Sequence, residues 1–254
     1  MTQPDSHFHG VRVTDAAGGT QRRPLQIACS NCSLHELCLS GGLDIVDLEA
    51  IDQIVAQRRR VPKGEALFGV GEPFRSIYAV RFGLFKTESL MADGREQVTG
   101  FQMAGELLGL DGISSDHHAC KAVALEDSEV CIIPFAEMES LGRAVPALQR
   151  NLHKVMSREM VQDRNLLVLL GSAQAGERLA AFLLNLSQRH AQRGYSATEF
   201  ILRMTRDEIG SYLGLTPETV SRTLTKLQKD GLIEVAQKHI RIPDLAALRA
   251  FVGC

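Results

Sequence analysis

Residues 146–170, PALQRNLHKVMSREMVQDRNLLVLL, constrain the fold more than any other stretch of the chain. Pro146 suits a first helical turn, where its missing N–H has no partner to lose, and neither Gly nor Pro follows until Gly171. The result is a helix about twice the ordinary globular length. Two stripes run along it. Leu148, Leu152 and Val155 recur at helical spacing and face the helix's own domain. Gln149, His153, Met156, Met160, Asp163, Leu167 and Leu170 step by four and three in alternation, the spacing of a coiled-coil seam. A helix with two such faces needs two partners, and a second copy of itself supplies the second. The stripe therefore predicts a homodimer; the alternative is one wide core face in a monomer.

The rest of the chain divides around this helix. At 254 residues it has room for two domains with separate cores. No apolar run reaches the roughly 18 residues needed to span a bilayer. The N-terminus lacks the basic start and apolar core of a signal peptide, so the expectation is a cytoplasmic protein with no membrane partner. In that compartment thiols stay reduced, and clustered cysteines bind metal or do redox work more often than they form disulfides. The net charge of -2 hides an asymmetry: residues 173–254 carry eleven Lys and Arg against eight Asp and Glu. A mildly basic end on an acidic body fits a nucleic-acid module.

Residues 1–24 have no periodicity and read as a disordered arm in which His7 and His9 are solvated. Residues 44–60 read as one amphipathic helix, with Ile45, Leu48, Ile51, Ile54 and Val55 inward and Arg58, Arg59 and Arg60 as its solvated end. From residue 61 to 135 short β-type runs are punctuated by glycines at regular intervals, with a hairpin signal at Asp93-Gly94, as in a sandwich or jelly-roll barrel. Residues 171–176 read as a hinge.

Beyond the hinge, Thr205 and Glu208 form a capping box, Gly214 breaks the helix they open, and Thr216-Pro217 starts another after a short turn. On the second helix Val220, Leu224 and Leu227 face inward. Glu218, Ser221 and Arg222 share the opposite face near its N-terminus. This is a helix-turn-helix with polar groups at the end that enters the major groove of double-stranded DNA. Arg pairs bidentately with guanine, Glu accepts from cytosine, and Ser bonds either neighbour. Two β runs closing at Ile242 read as a wing.

Cys29, Cys32 and Cys38 make a C-x2-C-x5-C run. Three thiolates within ten residues can wrap a compact inorganic group, although an iron–sulfur cube takes four. Zinc also accepts four thiolates, and spacing alone leaves both open.

The motifs together resemble the CRP/FNR superfamily of bacterial transcription regulators, and within it the FNR/ANR-type oxygen-sensing branch. The resemblance rests on VTGF at 98–101, VCIIPF at 130–135, ERLAAFLLNLS at 177–187 and EIGSYLGLTPETVSR at 208–222. It implies an α+β fold: an N-terminal β-roll (jelly-roll, cyclic-nucleotide-binding-like), a long dimerisation helix and a C-terminal winged helix-turn-helix. The expected divisions are the arm at 1–24, the cysteine loop plus β-roll sensor at 25–145, the helix at 146–171 and the DNA-binding domain at 172–254. It further implies Cys131 as fourth ligand of a 4Fe-4S cluster, with Cys120 and Cys254 as spare thiols. Glu218, Ser221 and Arg222 then read TTGAT-like half-sites of a palindrome. The seam would run through His153, Met156, Met160, Asp163, Leu167 and Leu170, and the loop around Asp93 would touch RNA polymerase. In the cyclic-nucleotide branch a Gly-Glu is followed by an Arg-Ser pair that holds the phosphate. Gly105-Glu106 is present here, but residues 112–121 hold no such pair, so the expectation is no cyclic nucleotide.

The function so implied is an oxygen-responsive switch, dimeric and DNA-bound without oxygen. A regulator of the same fold answering to nitric oxide or redox state, or one with structural zinc, is the alternative. An iron–sulfur or thiol redox enzyme leaves the helix-turn-helix unexplained, and the sequence carries no nucleotide-binding glycine motif or catalytic Cys-His signature. The chain does not read as an enzyme.

Overall fold

The cysteine run is held by two short 3-10 turns, Cys29–Asn31 and His35–Leu37, packed beside helix α1 (Ile45–Ile54). The computed structural model describes residues 29–55 and 57–253; the expected arm, His7, His9 and Cys254 lie outside them. Asp44 caps α1 by accepting from the Asp47 N–H, and Leu48 and Ile51 are its buried residues. Ile45, expected inward, is 74% exposed.

The single helix expected over residues 44–60 is corrected. Val55 ends α1, and the arginine run lies in strand β1 (Gln57–Val61). Its backbone pairs antiparallel with strand β8 (Ser128–Pro134), from Gln57 opposite Ile132 to Val61 opposite Ser128. Ladder pairing with a distant strand wins over a local helical period.

Between them come β2 (Ala66–Phe68), β3 (Ser76–Phe82), β4 (Leu84–Leu90), β5 (Glu96–Met103), β6 (Leu107–Leu108) and β7 (Lys121–Ala124). They form two four-stranded antiparallel sheets, ordered β1-β8-β3-β6 and β2-β7-β4-β5. This is the expected β-roll. Its interior includes Val61, Phe68, Val80, Phe85 and Val130, residues that alternate inward along their strands.

Helix α2 (Phe135–Ala144) leads to α3 (Pro146–Ser172), with Pro146 in the first turn. The expected six-residue hinge is shorter than read: only two residues, Ala173 and Gln174, separate α3 from α4 (Ala175–Gln192), which opens with a capping box from Gln174 and Glu177. Leu148 is buried, and Leu152 and Val155 pack half-buried with the cysteine loop and sheet. Along the other stripe His153 and Asp163 are exposed, Met156 and Leu170 are half-buried, and Met160 and Leu167 are 56% and 68% exposed. Val161 and Val168 are exposed beside them. In the single chain this face is uncovered. No helix among the described residues is long and apolar enough to cross a membrane.

The C-terminal part adds β9 (Glu199–Ile201), α5 (Arg206–Leu213), α6 (Pro217–Lys229), β10 (Glu234–Ala236), β11 (His239–Arg241) and α7 (Leu245–Val252). The wing has three strands, ordered β10-β11-β9, because β9 joins the two expected runs. This domain packs on the β-roll. Phe101 of β5 meets Phe182 of α4 and Tyr212 of α5, with ring centroids 6.0 and 5.2 Å apart. Such aromatic pairs contribute about 0.5–1.5 kcal/mol each beyond area burial, so packing as well as charge holds the two domains together.

Candidate functional site

The four cysteines singled out by the motif, Cys29, Cys32, Cys38 and Cys131, line one pocket. Cys29 opens the first 3-10 turn, Cys32 and Cys38 directly follow the first and second turns, and β8 supplies Cys131. Ile51 of α1, Met138 of α2 and Leu148 of α3 close its walls, so the pocket touches the foot of the long helix. All four thiols are free, as is Cys120. Cys120, partly buried, packs instead against the core of the β-roll, which separates it from the set.

Charge in this pocket is poorly solvated. Burial pushes the Cys38 thiol up to about 11, with Cys131 and Cys32 adding to the rise. Cys29 rises further through burial, then through Cys38, Asp52 and Cys131. Cys131 is raised by burial, while the guanidinium groups of Arg58 and Arg81 pull it back. Three thiols raised in this way, with Cys32 lining the same apolar-walled pocket, are a donor set suited to a cationic inorganic group, which reverses that penalty. Among the described residues no three His, Cys, Asp or Glu side chains converge closely enough to hold one metal ion.

Two anchors tie the loop down, and neither was legible beforehand. The Cys29 N–H donates to the Asp52 carboxylate on α1. Asn151 of α3 donates through Nδ2 to the carbonyls of Leu39 and Gly41, at 3.0 and 2.8 Å. The end of the cysteine loop is thus bonded directly to the long helix.

The second functional face is on α6. Thr216 caps it, accepting from the Thr219 N–H, and Val220, Thr223, Leu224 and Leu227 are buried. Glu218, Ser221 and Arg222 are exposed on the opposite side. On α5 the capping box of Thr205 and Glu208 is complete, and Gly214 ends the helix at φ 62°, a conformation that favours glycine. The turn to α6 is tight: a Cβ on Gly210 would stand 2.6 Å from the Leu215 carbonyl oxygen. Two helices crossing at so short a turn, with a polar face at the second one's N-terminus, present a recognition helix.

Comparison with known proteins identifies both domains. Residues 177–251 match the family described as Crp-like helix-turn-helix domain, and residues 58–144 match the Cyclic nucleotide-binding domain. The Anr transcriptional activator of Pseudomonas protegens is 46% identical over 90% of this chain and 93% of its own length. The chain belongs to the CRP/FNR family of transcription regulators. The fumarate and nitrate reduction regulatory protein of Escherichia coli is 44% identical over 89% of this chain and 91% of its own. The btr regulatory protein of Bordetella pertussis is 44% identical over 89% and 93%. Among solved structures, FixK2 of Bradyrhizobium japonicum superposes with a TM-score of 0.70 at 30% identity, covering 76% of this chain and 96% of that one. This regulator is a DNA-binding protein, and its relatives are not enzymes.

One expectation is overturned here. The sequence reading ruled out cyclic nucleotides for want of an arginine after Gly105-Glu106. The match of residues 58–144 to the Cyclic nucleotide-binding domain removes the ground for that exclusion. Arg189 and Arg193 of α4 reach the same turn from far along the chain, where they pair with Glu106.

Proposed function

We propose that this regulator is an oxygen-responsive transcription factor whose cysteine pocket takes a 4Fe-4S cluster. The observation carrying the reading is that Cys29, Cys32, Cys38 and Cys131, brought from two separate parts of the chain, line a single pocket. The set fits the group: four free thiols, apolar walls, and Arg58 and Arg81 beside Cys131 to offset the negative charge of thiolate ligands. When bound, the cluster supplies an oxygen-sensitive tie among the four thiols, as the resemblance to the FNR/Anr branch implies.

The chain's own residues carry the signal onward. Ligation by Cys38 fixes the loop whose next carbonyls accept from Asn151 of α3. The opposite face of α3, at His153, Met156, Met160, Asp163, Leu167 and Leu170, then pairs with a second copy. Two charged or polar layers make that seam marginal, so a modest change at its foot shifts the dimer equilibrium. Dimerisation sets two α6 helices to read both halves of a palindrome with TTGAT-like half-sites. Arg222 reads guanine, Glu218 accepts from a cytosine, and Ser221 bonds a neighbouring base.

The test is iron and sulfide content and the visible spectrum of anaerobically purified protein, followed by air exposure and binding to the palindrome. About four irons and four sulfides per chain, bleached by air with loss of DNA affinity, are expected. Protein that lacks iron when isolated without oxygen, or that binds DNA equally before and after air, overturns the reading.

A further inference from the structure

The turn between β5 and β6 touches two parts of the molecule at once. Gly105, at φ 89°, has no room for a side chain: a Cβ there would stand 2.9 Å from the Cβ of Leu37 and 3.9 Å from that of Leu34. Both leucines lie in the cysteine loop, between Cys32 and Cys38. The next residue, Glu106, faces the DNA-binding domain. Its carboxylate accepts from Arg193 Nη2 at 2.6 Å and from Arg189 Nε at 3.0 Å, and also from Arg189 Nη2. The same arginines donate to carbonyls of the turn and of β5 before it, Arg193 Nε to Ala104 at 2.7 Å and Arg189 Nη2 to Phe101 at 2.5 Å.

The turn itself is stiff. Gly105 N donates to the Val80 carbonyl at 2.7 Å, Val80 N to the Glu106 carbonyl at 2.9 Å, and Met103 N to the Glu106 carboxylate at 2.9 Å. Arg193 and Arg189 are buried to 3% and 13% side-chain exposure. Buried charges of this kind hold their partners strongly, because separation leaves them uncompensated. Other cross-domain polar contacts join other points: Lys86 to Glu208, Gln97 Nε2 to the Ser211 carbonyl, Val98 N to Ser211 Oγ, and Arg203 to Glu126. Behind Arg189, the buried face of α4 shares one core with Val220, Leu224 and Leu227 of α6, so whatever moves α4 moves the reading helix.

We propose that the turn at Gly105-Glu106 is a direct relay from the cysteine loop to the DNA-binding domain, separate from the route through α3. The relay rests on the reading of the cysteine loop as the sensor. When the loop withdraws from Gly105 the turn loses its backing, the grip of Glu106 on Arg189 and Arg193 relaxes, and the DNA-binding domain is freed to reorient. Glu106 is a positioning residue in this account.

Hydrogen exchange of the full chain tests it, followed on peptides from the last turns of α4. Leu37→Ala loosens the loop-to-turn contact without touching a cysteine, and Glu106→Gln removes the charge from the other end. Each single variant should speed exchange there by about tenfold or more, as loss of a buried ionic contact does. The double variant should exchange no faster than Glu106→Gln alone, because both act on one connection. In wild type, air exposure that removes iron should speed the same peptides, and in Glu106→Gln it should not. Unchanged α4 exchange in Leu37→Ala, additive effects in the double variant, or an air response that survives Glu106→Gln each overturn the relay. If Glu106→Gln does not fold, Arg189→Gln takes its place. Protein without iron defeats the cluster reading, and the Leu37 comparison still decides the relay.

Discussion

Arg58 and Cys131 stand directly opposite each other across the β1–β8 ladder. The arginine lowers the cost of negative charge on a buried thiol, and it also lies 3.9 Å from the Glu129 carboxylate. Arg81, at 2.7 Å, holds Glu129 more closely. Removal of Arg58 therefore takes a positive charge from the cysteine pocket while Glu129 keeps a partner. We predict that Arg58→Ala lowers iron retained after identical anaerobic reconstitution and speeds iron loss to a chelator, with Arg58→Lys close to wild type. Equal retention in all three proteins would deny Arg58 any part in holding the group.

The ligand set yields a second prediction. Cys29→Ser, Cys32→Ser, Cys38→Ser and Cys131→Ser should each fail to retain the cluster. Cys120→Ser should retain it, since Cys120 packs against the β-roll core away from the pocket and its thiol, pushed up to about 12 by burial and then by Asp111, faces a different carboxylate. Iron and sulfide per chain decide the matter. Loss in Cys120→Ser with retention in Cys131→Ser would reverse the assignment.

These two predictions differ in how far the sequence alone could reach them. The cysteine spacing, the capping box of Thr205 and Glu208 and the cap at Thr216 are local, so their consequences are written within a few residues. Arg58 was misread because the apolar period through Ile51, Ile54 and Val55 continues up to it, while the strand it belongs to is defined by β8 much later in the chain. Glu106 was read only against its own neighbourhood. Its cations come from α4, and no local pattern records an ion pair between domains. Strand β9 was missed for the same reason, being three residues whose pairing with β11 is their only signal.

Arg222 is exposed on α6, its guanidinium only 3.5 Å from Thr219 Oγ1 and free to turn toward a base. Arg222→Ala should cost about 1–3 kcal/mol of discrimination at the half-site guanine. Binding to scrambled duplex should fall far less, because phosphate contacts dominate nonspecific affinity. Competition titrations with matched and scrambled DNA at one salt concentration measure both. Equal losses on the two duplexes would remove Arg222 from base reading.

Glu159 on α3 gives a pH dependence. Burial, then the carboxylates of Glu106 and Asp163, push its carboxyl up to about 7, against a smaller opposing pull from Arg189. The folded protein therefore keeps a proton that the unfolded chain releases near the ordinary value of 4.5. Stability from this group is full below about 4.5 and is lost as the pH rises through about 7. Glu159→Gln, permanently neutral, should melt higher than wild type above pH 7 and approach it near pH 5. Thermal midpoints of cluster-free protein across that range test the sign; a constant difference at every pH would mean that Glu159 does not titrate in the window.

Asp163 lies on the same helix, exposed in the single chain between Met160 and Leu167, whose side chains are also uncovered. If those residues face their mates in a dimer, two Asp163 carboxylates meet across the seam. Each must give up water there and repel the other, and both costs oppose pairing. Asp163→Ala removes them while adding little packing of its own. Relief of even about 1.4 kcal/mol shifts the dimer equilibrium tenfold. We therefore predict that Asp163→Ala dimerises without a cluster and binds its palindrome in air. Because Asp163 helps to raise Glu159, one turn earlier, the same measurement on Glu159→Gln separates the two positions. Sedimentation of aerobic, iron-free protein over the concentration range in which wild type is monomeric measures it. A monomer there would move Asp163 off the seam and leave Met160 and Leu167 facing some other partner.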